Sequence, residues 1–204
     1  EIFQPATKAE LLAISHKLKA IKPDLAIVAA NGKIIPKEIL DIPVYGFINV
    51  HGSLLPYYRG ASPIQTAILN GEKETGVTIM KVDEEMDHGP IITNVKIKIS
   101  NDDTFESLSQ KTAVLGAELL IKIIPEYISG KLKPITQDHS KATFAPMLKR
   151  SDGHIDWKRS AIEIHNQVRA FTPWPLAYTK LNEEFFNIIE TEVKETNEKH
   201  SPGS

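Results

Sequence analysis

Two short apolar runs, Asp24–Ala30 and Gly46–His51, limit what this chain can become more than any other feature. Both are too short for a buried helix. The first gives way to Asn31-Gly32, and the second ends in Asn49-Val50-His51. Apolar runs of that length, bounded by turn residues, read as strands covered on both faces, as in a parallel sheet. Around them the period is helical: Lys8–Ile21 carries Leu11, Leu12, Ile14, Leu18 and Ile21 at helical spacing and stops at Pro23. A short helix follows Pro36. Ser62–Asn70 reads as another, with Ser62 as N-cap, Pro63 first and Gly71 just past the end.

Further along, Gly76–Val82 and Ile91–Ile99 are β-rich, and the second alternates apolar Val95, Ile97 and Ile99 with Lys96 and Lys98, so one face is wet. Asp103-Thr-Phe-Glu106 has the spacing of a capping box and opens a long helix to about Ser129, with Gly130 as its stop. Ser160-Ala-Ile-Glu163 opens a second one. Its inward stripe is Ala161, Ile164, Val168 and Phe171, and Pro173-Trp174-Pro175 ends it. Helices alternating with apolar strands predict an α/β layered fold with a mostly parallel sheet. Such a sheet gathers its ligands outside the carboxyl ends of its strands. Asn31-Gly32, Asn49–His51 and Asp83–Asp87 all fall at such ends.

Composition narrows the function classes. At 204 residues the chain is long enough to bury a substantial core. A net charge of −2 supplies no field for a polyanion. The absence of cysteine excludes disulfides, thiolate metal sites and a cysteine nucleophile, and it fits the cytoplasm, the expected location. The longest apolar region, Val114–Ile128, is interrupted by Glu118, Lys122, Pro125 and Glu126, so no membrane span or membrane association is expected. The chain opens at Glu1 rather than Met and closes in a polar tail, and truncation at both ends is the expectation.

Asn49 and His51 lie two residues apart on one strand, so their side chains point the same way. Asp87 lies in Met86-Asp87-His88-Gly89-Pro90, after another strand. An amide, an imidazole and a carboxylate together suit acyl transfer to an amine. A protonated imidazole and a side-chain NH2 stabilise the oxyanion of the tetrahedral intermediate. A carboxylate keeps the imidazole charged and helps remove the proton from the attacking ammonium group. Taken singly, Asn-x-His and Asp-x-Gly-Pro are turn or hydrogen-bonding residues more often than catalytic ones. His51-Gly-Ser-Leu-Leu55 is not a G-x-S-x-G elbow, and neither G-x-G-x-x-G nor a Walker A motif occurs. No histidine spacing suggests a metal site. His16 and His165 are read as surface or boundary residues and His88 as facing solvent, while Arg59 either grips an anion or braces its loop.

Four phrases, Asn49-Val-His-Gly-Ser-Leu-Leu-Pro56, Tyr58-Arg-Gly-Ala-Ser-Pro-Ile-Gln65, Thr75-Gly-Val-Thr-Ile-Met80 and Met86-Asp-His-Gly-Pro90, carry a family likeness. In this order they resemble the formyltransferase family that uses 10-formyltetrahydrofolate. The phrase Arg59–Gln65, together with Gly153-His-Ile-Asp-Trp157 leading to Val168–Pro175, is similar to the branch whose acceptor is methionyl-tRNA. The resemblance implies a Rossmann-like core and a catalytic trio of Asn49, His51 and Asp87. It places the folate cosubstrate, 10-formyltetrahydrofolate, around Ser53, Leu54, Leu55 and Pro56. The pteridine pocket is expected to form from Asn31, Gly32, Lys33, Ile34 and Ile35 and from Asp83, Glu84, Glu85 and Met86. The implied acceptor is the α-amino group of initiator methionyl-tRNA, in translation initiation. A sugar-nucleotide amine or water is the alternative acceptor, and a folate-binding fragment without turnover is the non-enzymatic alternative.

Against the family pattern, the opening βα units and a basic C-terminal β-barrel domain are expected to be missing. That would expose an apolar sheet edge through which the chain could self-associate. The expected division is a partial catalytic core over 1–145, a linker and helix over 146–181 and a flexible tail over 182–204.

Overall fold

The structure, a computed structural model, describes residues 2–194. Its first helical stretch is broken in two, α1 (Lys8–Ala13) and α2 (Ser15–Ile21), at Ile14. Then follow β1 (Ala26–Ala29), α3 (Lys37–Leu40) and β2 (Phe47–His51). A two-residue strand β3 (Arg59–Gly60), helix α4 (Pro63–Leu69) and strands β4 (Glu74–Lys81) and β5 (Ile91–Lys98) come next. The long helix α5 (Phe105–Ile128), a short β6 (Phe144–Ala145), α6 (Ala161–Phe171) and the hairpin β7 (Ala177–Leu181) and β8 (Glu184–Ile188) complete the described chain.

The central sheet has the order β1-β2-β4-β5. It is α/β in class but mixed rather than mostly parallel: β1 and β2 run parallel, whereas β2–β4 and β4–β5 are antiparallel. For the β4–β5 pair the reason is the length of the connection. Only the loop between Lys81 and Ile91 joins β4 to β5, and a parallel return would need a crossover of a dozen or more residues. β4 is buried at all six central positions, between two neighbours in the sheet. β1 is an edge among the described strands, and Ile27 on it is half exposed.

α5 lies across one face of this sheet. Ile48, Val77, Ile79 and Ile92 from the strands pack against Ile123 and Tyr127 from the helix. Contact is close because residue 116 is glycine: a Cβ there would stand 2.8 Å from Val50 Cγ1. A second apolar cluster joins α4, α5 and α6 through Ala67, Ile68, Leu108, Ala170 and Phe171.

Local signals in the sequence were mostly honoured, with shifts. Ser160 and Glu163 form a reciprocal capping box at the start of α6, as their spacing predicts. At α5 the box is displaced by one residue to Thr104 and Ser107. Asp103 instead turns its buried carboxylate to Ser100 N (2.8 Å), Ser107 Oγ (2.7 Å) and Lys111 Nζ (2.6 Å). Ile164, Val168 and Phe171 face the core, but Ala161 in the first turn is exposed. The expectation of a tail from 182 onward is corrected for 182–188, which form the turn and second strand of the β7–β8 hairpin. Asn182 and Glu183 both take positive φ there, +48° and +69°, as a two-residue hairpin turn requires. Residues 195–204 of that expected tail lie outside the described residues. No described helix is long and apolar enough to cross a membrane.

Candidate active site

Asn49 and His51 stand at the carboxyl end of β2, paired across to Met80 and Thr78 of β4. The β4–β5 loop brings Asp87 to them. Asn49 Nδ2 donates to Asp87 Oδ1 at 3.3 Å. His51 Nδ1 lies 3.6 Å from the same oxygen. The other carboxylate oxygen accepts the Gly60 N–H at 2.8 Å. The three side chains thus share one point in space despite 38 residues between Asn49 and Asp87.

The far side of the imidazole is committed. His51 Nε2 is 2.9 Å from the Tyr58 carbonyl. A carbonyl can only accept, so Nε2 carries the hydrogen and Nδ1 is the nitrogen turned toward Asp87. His51 is buried, as is Arg59 next to Tyr58. Arg59 braces the loop: it donates through Nε and Nη2 to Gln137 Oε1, at 3.2 and 2.7 Å, and through Nη2 to His139 Nδ1 at 2.9 Å.

A cleft enclosing about 270 Å3 opens beside the trio, with Asn49, Asp87 and Gly60 in its wall. The structure brings Asn31, Gly32, Lys33, Ile34 and Ile35 to one side of it, and Asp83, Glu85 and Met86 with them. Glu84 points elsewhere, toward the Lys37 ammonium group at 3.9 Å. Asn31 braces its own loop, donating to the Lys33 carbonyl at 2.9 Å.

Ser53, Leu54, Leu55 and Pro56 are not among the residues lining this cleft. Ser53 is fully buried, and its Oγ donates to the Tyr57 carbonyl at 2.6 Å. Leu55 is buried too, its N–H donating to Thr78 Oγ1 at 3.1 Å, and Leu54 borders a separate depression with Tyr58 and Thr75. Thr78 of β4 ties the segment down, accepting from the Leu55 N–H and donating to the Ser53 carbonyl at 2.7 Å.

Sequence reasoning missed the opposite rim, Phe144–Met147, and the amide of Gln137. Neither sits in a periodic segment, and only tertiary pairing of β6 with β3 delivers the rim. His88 was expected to face solvent. It is only partly exposed, bonded to Asp83 Oδ2 at 2.7 Å and stacked on His139 with ring centroids 4.0 Å apart. Among the described residues no group of three or more histidines, aspartates or glutamates could hold a metal ion.

Chemically, the trio offers a polarised NH2 and a carboxylate at the edge of an apolar-walled cleft, with the buried imidazole of His51 against that carboxylate rather than in the cleft wall. That combination stabilises an oxyanion and moves a proton without a side-chain nucleophile.

Comparison with known proteins points the same way. The formyl transferase model matches residues 3–124. A model of the formyl transferase C-terminal domain matches residues 147–204, which takes in the stretch read above as linker, helix and tail. Methionyl-tRNA formyltransferase of Thermodesulfovibrio yellowstonii is 52% identical over 181 residues, covering 89% of this chain and 58% of the relative. The enzyme of that name from Bacillus subtilis is 46% identical over 187 residues, covering 92% of this chain and 59% of the relative. The chain therefore spans less than two thirds of the length of either. Among solved structures, a 4-N formyltransferase from Francisella tularensis aligns with a TM-score of 0.76 at 22% identity, over 91% of this chain and 77% of that one. HypX from Aquifex aeolicus in complex with tetrahydrofolic acid aligns at 0.74 and 21% identity, over 96% of this chain and 33% of that one. At such identities these two structures speak to the fold alone.

Proposed function

The chain belongs to the formyl transferase family, and from that premise we propose that it moves a formyl group from 10-formyltetrahydrofolate to the α-amino group of methionine on initiator tRNA. The convergence of Asn49, His51 and Asp87 on one point beside a cleft carries this reading. The names of the relatives, at 52% and 46% identity, support the choice of acceptor.

In this reaction the neutral amine attacks the formyl carbon, a C–N bond forms and the carbonyl oxygen becomes anionic. The second hydrogen of the Asn49 amide and a protonated Nδ1 of His51 are donors for that oxygen. Losing one such donor typically costs about 2.7–4 kcal/mol of barrier. Asp87 takes the proton that the amine nitrogen gives up as the C–N bond forms, directly or through water. The intermediate then collapses, breaking the bond to the folate nitrogen, which leaves with the proton that Asp87 took. The loops Asn31–Ile35 and Asp83–Met86 hold the pteridine, mainly with backbone groups.

The test is a formylation assay with 10-formyltetrahydrofolate and three acceptors, methionyl-tRNA, a dTDP-linked amino sugar and water. Formyl-methionyl-tRNA is the expected product, and His51→Ala should abolish most of it. Formylation of the sugar, or formate release alone, would replace the acceptor named here, and no turnover with any acceptor would leave a folate-binding protein.

A further inference from the structure

We propose that Gln137 is a positioning residue for Asp87, anchored by the buried Arg59, an inference that rests on the role given to Asp87 above. Asp87 itself has positive φ, +48°, a conformation that surrounding contacts must hold for a non-glycine residue. Gln137 supplies such contacts. Its side chain is buried, and Nε2 donates to both the Asp87 carbonyl (2.9 Å) and the Gly89 carbonyl (2.8 Å). The amide cannot flip. Guanidinium only donates, so the Arg59 bonds at 3.2 and 2.7 Å fix Oε1 on that side and both amide hydrogens on the loop. Gln137 arrives there because Ile135 bridges Ile91 at the end of the same loop, by two bonds of 2.8 Å. The clamp grips backbone on either side of His88, and the aim of the carboxylate follows from it.

Gln137→Glu keeps an acceptor for Arg59 but turns a carboxylate against two carbonyl oxygens. Gln137→Met keeps the length and removes every bond. Both are made in the full gene product, beside Asp87→Asn, and kcat, KM, circular dichroism and the ring 15N shifts of His51 are measured. Misplacing a catalytic group by about 1 Å can cost about 10²-fold, so a kcat loss of that order is expected in Gln137→Glu, with KM for 10-formyltetrahydrofolate nearly unchanged. The His51 shifts should move toward those of Asp87→Asn. Wild-type kcat in both Gln137 variants overturns the inference. So does a loss that only tracks unfolding while the His51 shifts stay put. If Asp87→Asn itself turns over normally, the reading of the site falls; if it is dead while both Gln137 variants are normal, only the role of Gln137 falls.

Discussion

His51 Nε2 donates to the Tyr58 carbonyl at 2.9 Å, and this bond decides which nitrogen of the imidazole faces Asp87. Tyr58 is itself held at both ends. Its N–H donates to Thr143 Oγ1 at 2.9 Å and its hydroxyl to Glu72 at 2.5 Å. Burial, with the Glu72 hydrogen bond second, pushes the phenol above its ordinary pKa, so it stays protonated and keeps donating. Neutral His51 should therefore be the Nε2–H tautomer. Ring 15N shifts above the titration midpoint check this, and an Nδ1–H pattern would contradict the assignment.

Asn49→Ala should leave the fold intact, because the Asn49 side chain is only partly buried and removing it leaves the strand's backbone pairing in place. If its amide serves the oxyanion, kcat drops by about 10²–10³-fold, as when one such donor is removed elsewhere. Steady-state kinetics on folded protein decide the matter, and a change of only KM would assign Asn49 to binding instead.

Saturating folate should slow amide exchange in the loop Asn31–Ile35, which lines the cleft. Hydrogen–deuterium exchange read by mass spectrometry reports this directly. Exchange there that is indifferent to folate would refute the pteridine pocket.

Asp103 gives a pH dependence. Burial alone would raise its pKa, but hydrogen bonds from Lys111, Ser107 and the Ser100 N–H outweigh burial and hold the carboxyl below the usual carboxylate range. A depressed folded pKa contributes stability that is complete above the unfolded value, about 3.9, and disappears as pH falls through the folded one. Asp103→Asn should thus cost about 1–3 kcal/mol at pH 7. The gap to wild type should narrow as pH falls below about 4. Denaturant unfolding at several pH values measures it, and a gap constant down to low pH would disprove the linkage.

Gly116→Ala sets two effects against each other. Alanine gains about 1 kcal/mol over glycine inside a helix. Its methyl, however, would lie 2.8 Å from Val50 Cγ1 and 3.3 Å from Val77 Cγ1, and overpacking of this kind costs about 1–3 kcal/mol. Valine is stiff at χ1 and Val50 sits between Asn49 and His51, so the strain should win and the melting temperature fall. A higher melting temperature would mean that α5 moves away from the sheet at little cost.

What could be read in the chain follows the range of the physics. The spacing of Asn49 and His51 was legible because strand alternation is a two-residue rule. The Ser160–Glu163 box was legible because caps are local. The box at α5 was misplaced by one because Asp103, Thr104 and Ser107 all compete for the same N-terminus, and Lys111 draws Asp103 away. The β7–β8 hairpin escaped notice because its turn, Asn182-Glu183, lacks the usual glycine, although Phe186 and Ile188 lie on one side of the alternation. The burial of Ser53 and Leu55 within Ser53–Pro56 was not legible, because it depends on bonds to the Tyr57 carbonyl and to Thr78, a residue of another strand.

The sequence by itself determined the elements, the class of chemistry on offer and two of the three groups in their correct relation, since each depends on neighbours within a few residues. Tertiary structure alone decided the direction of β4 and β5, the arrival of Asp87 at Asn49 and the bracing of that loop by Gln137 and Arg59. Those contacts join positions dozens of residues apart, and their geometry comes from packing and hydrogen-bond satisfaction across the whole core, which no local pattern encodes.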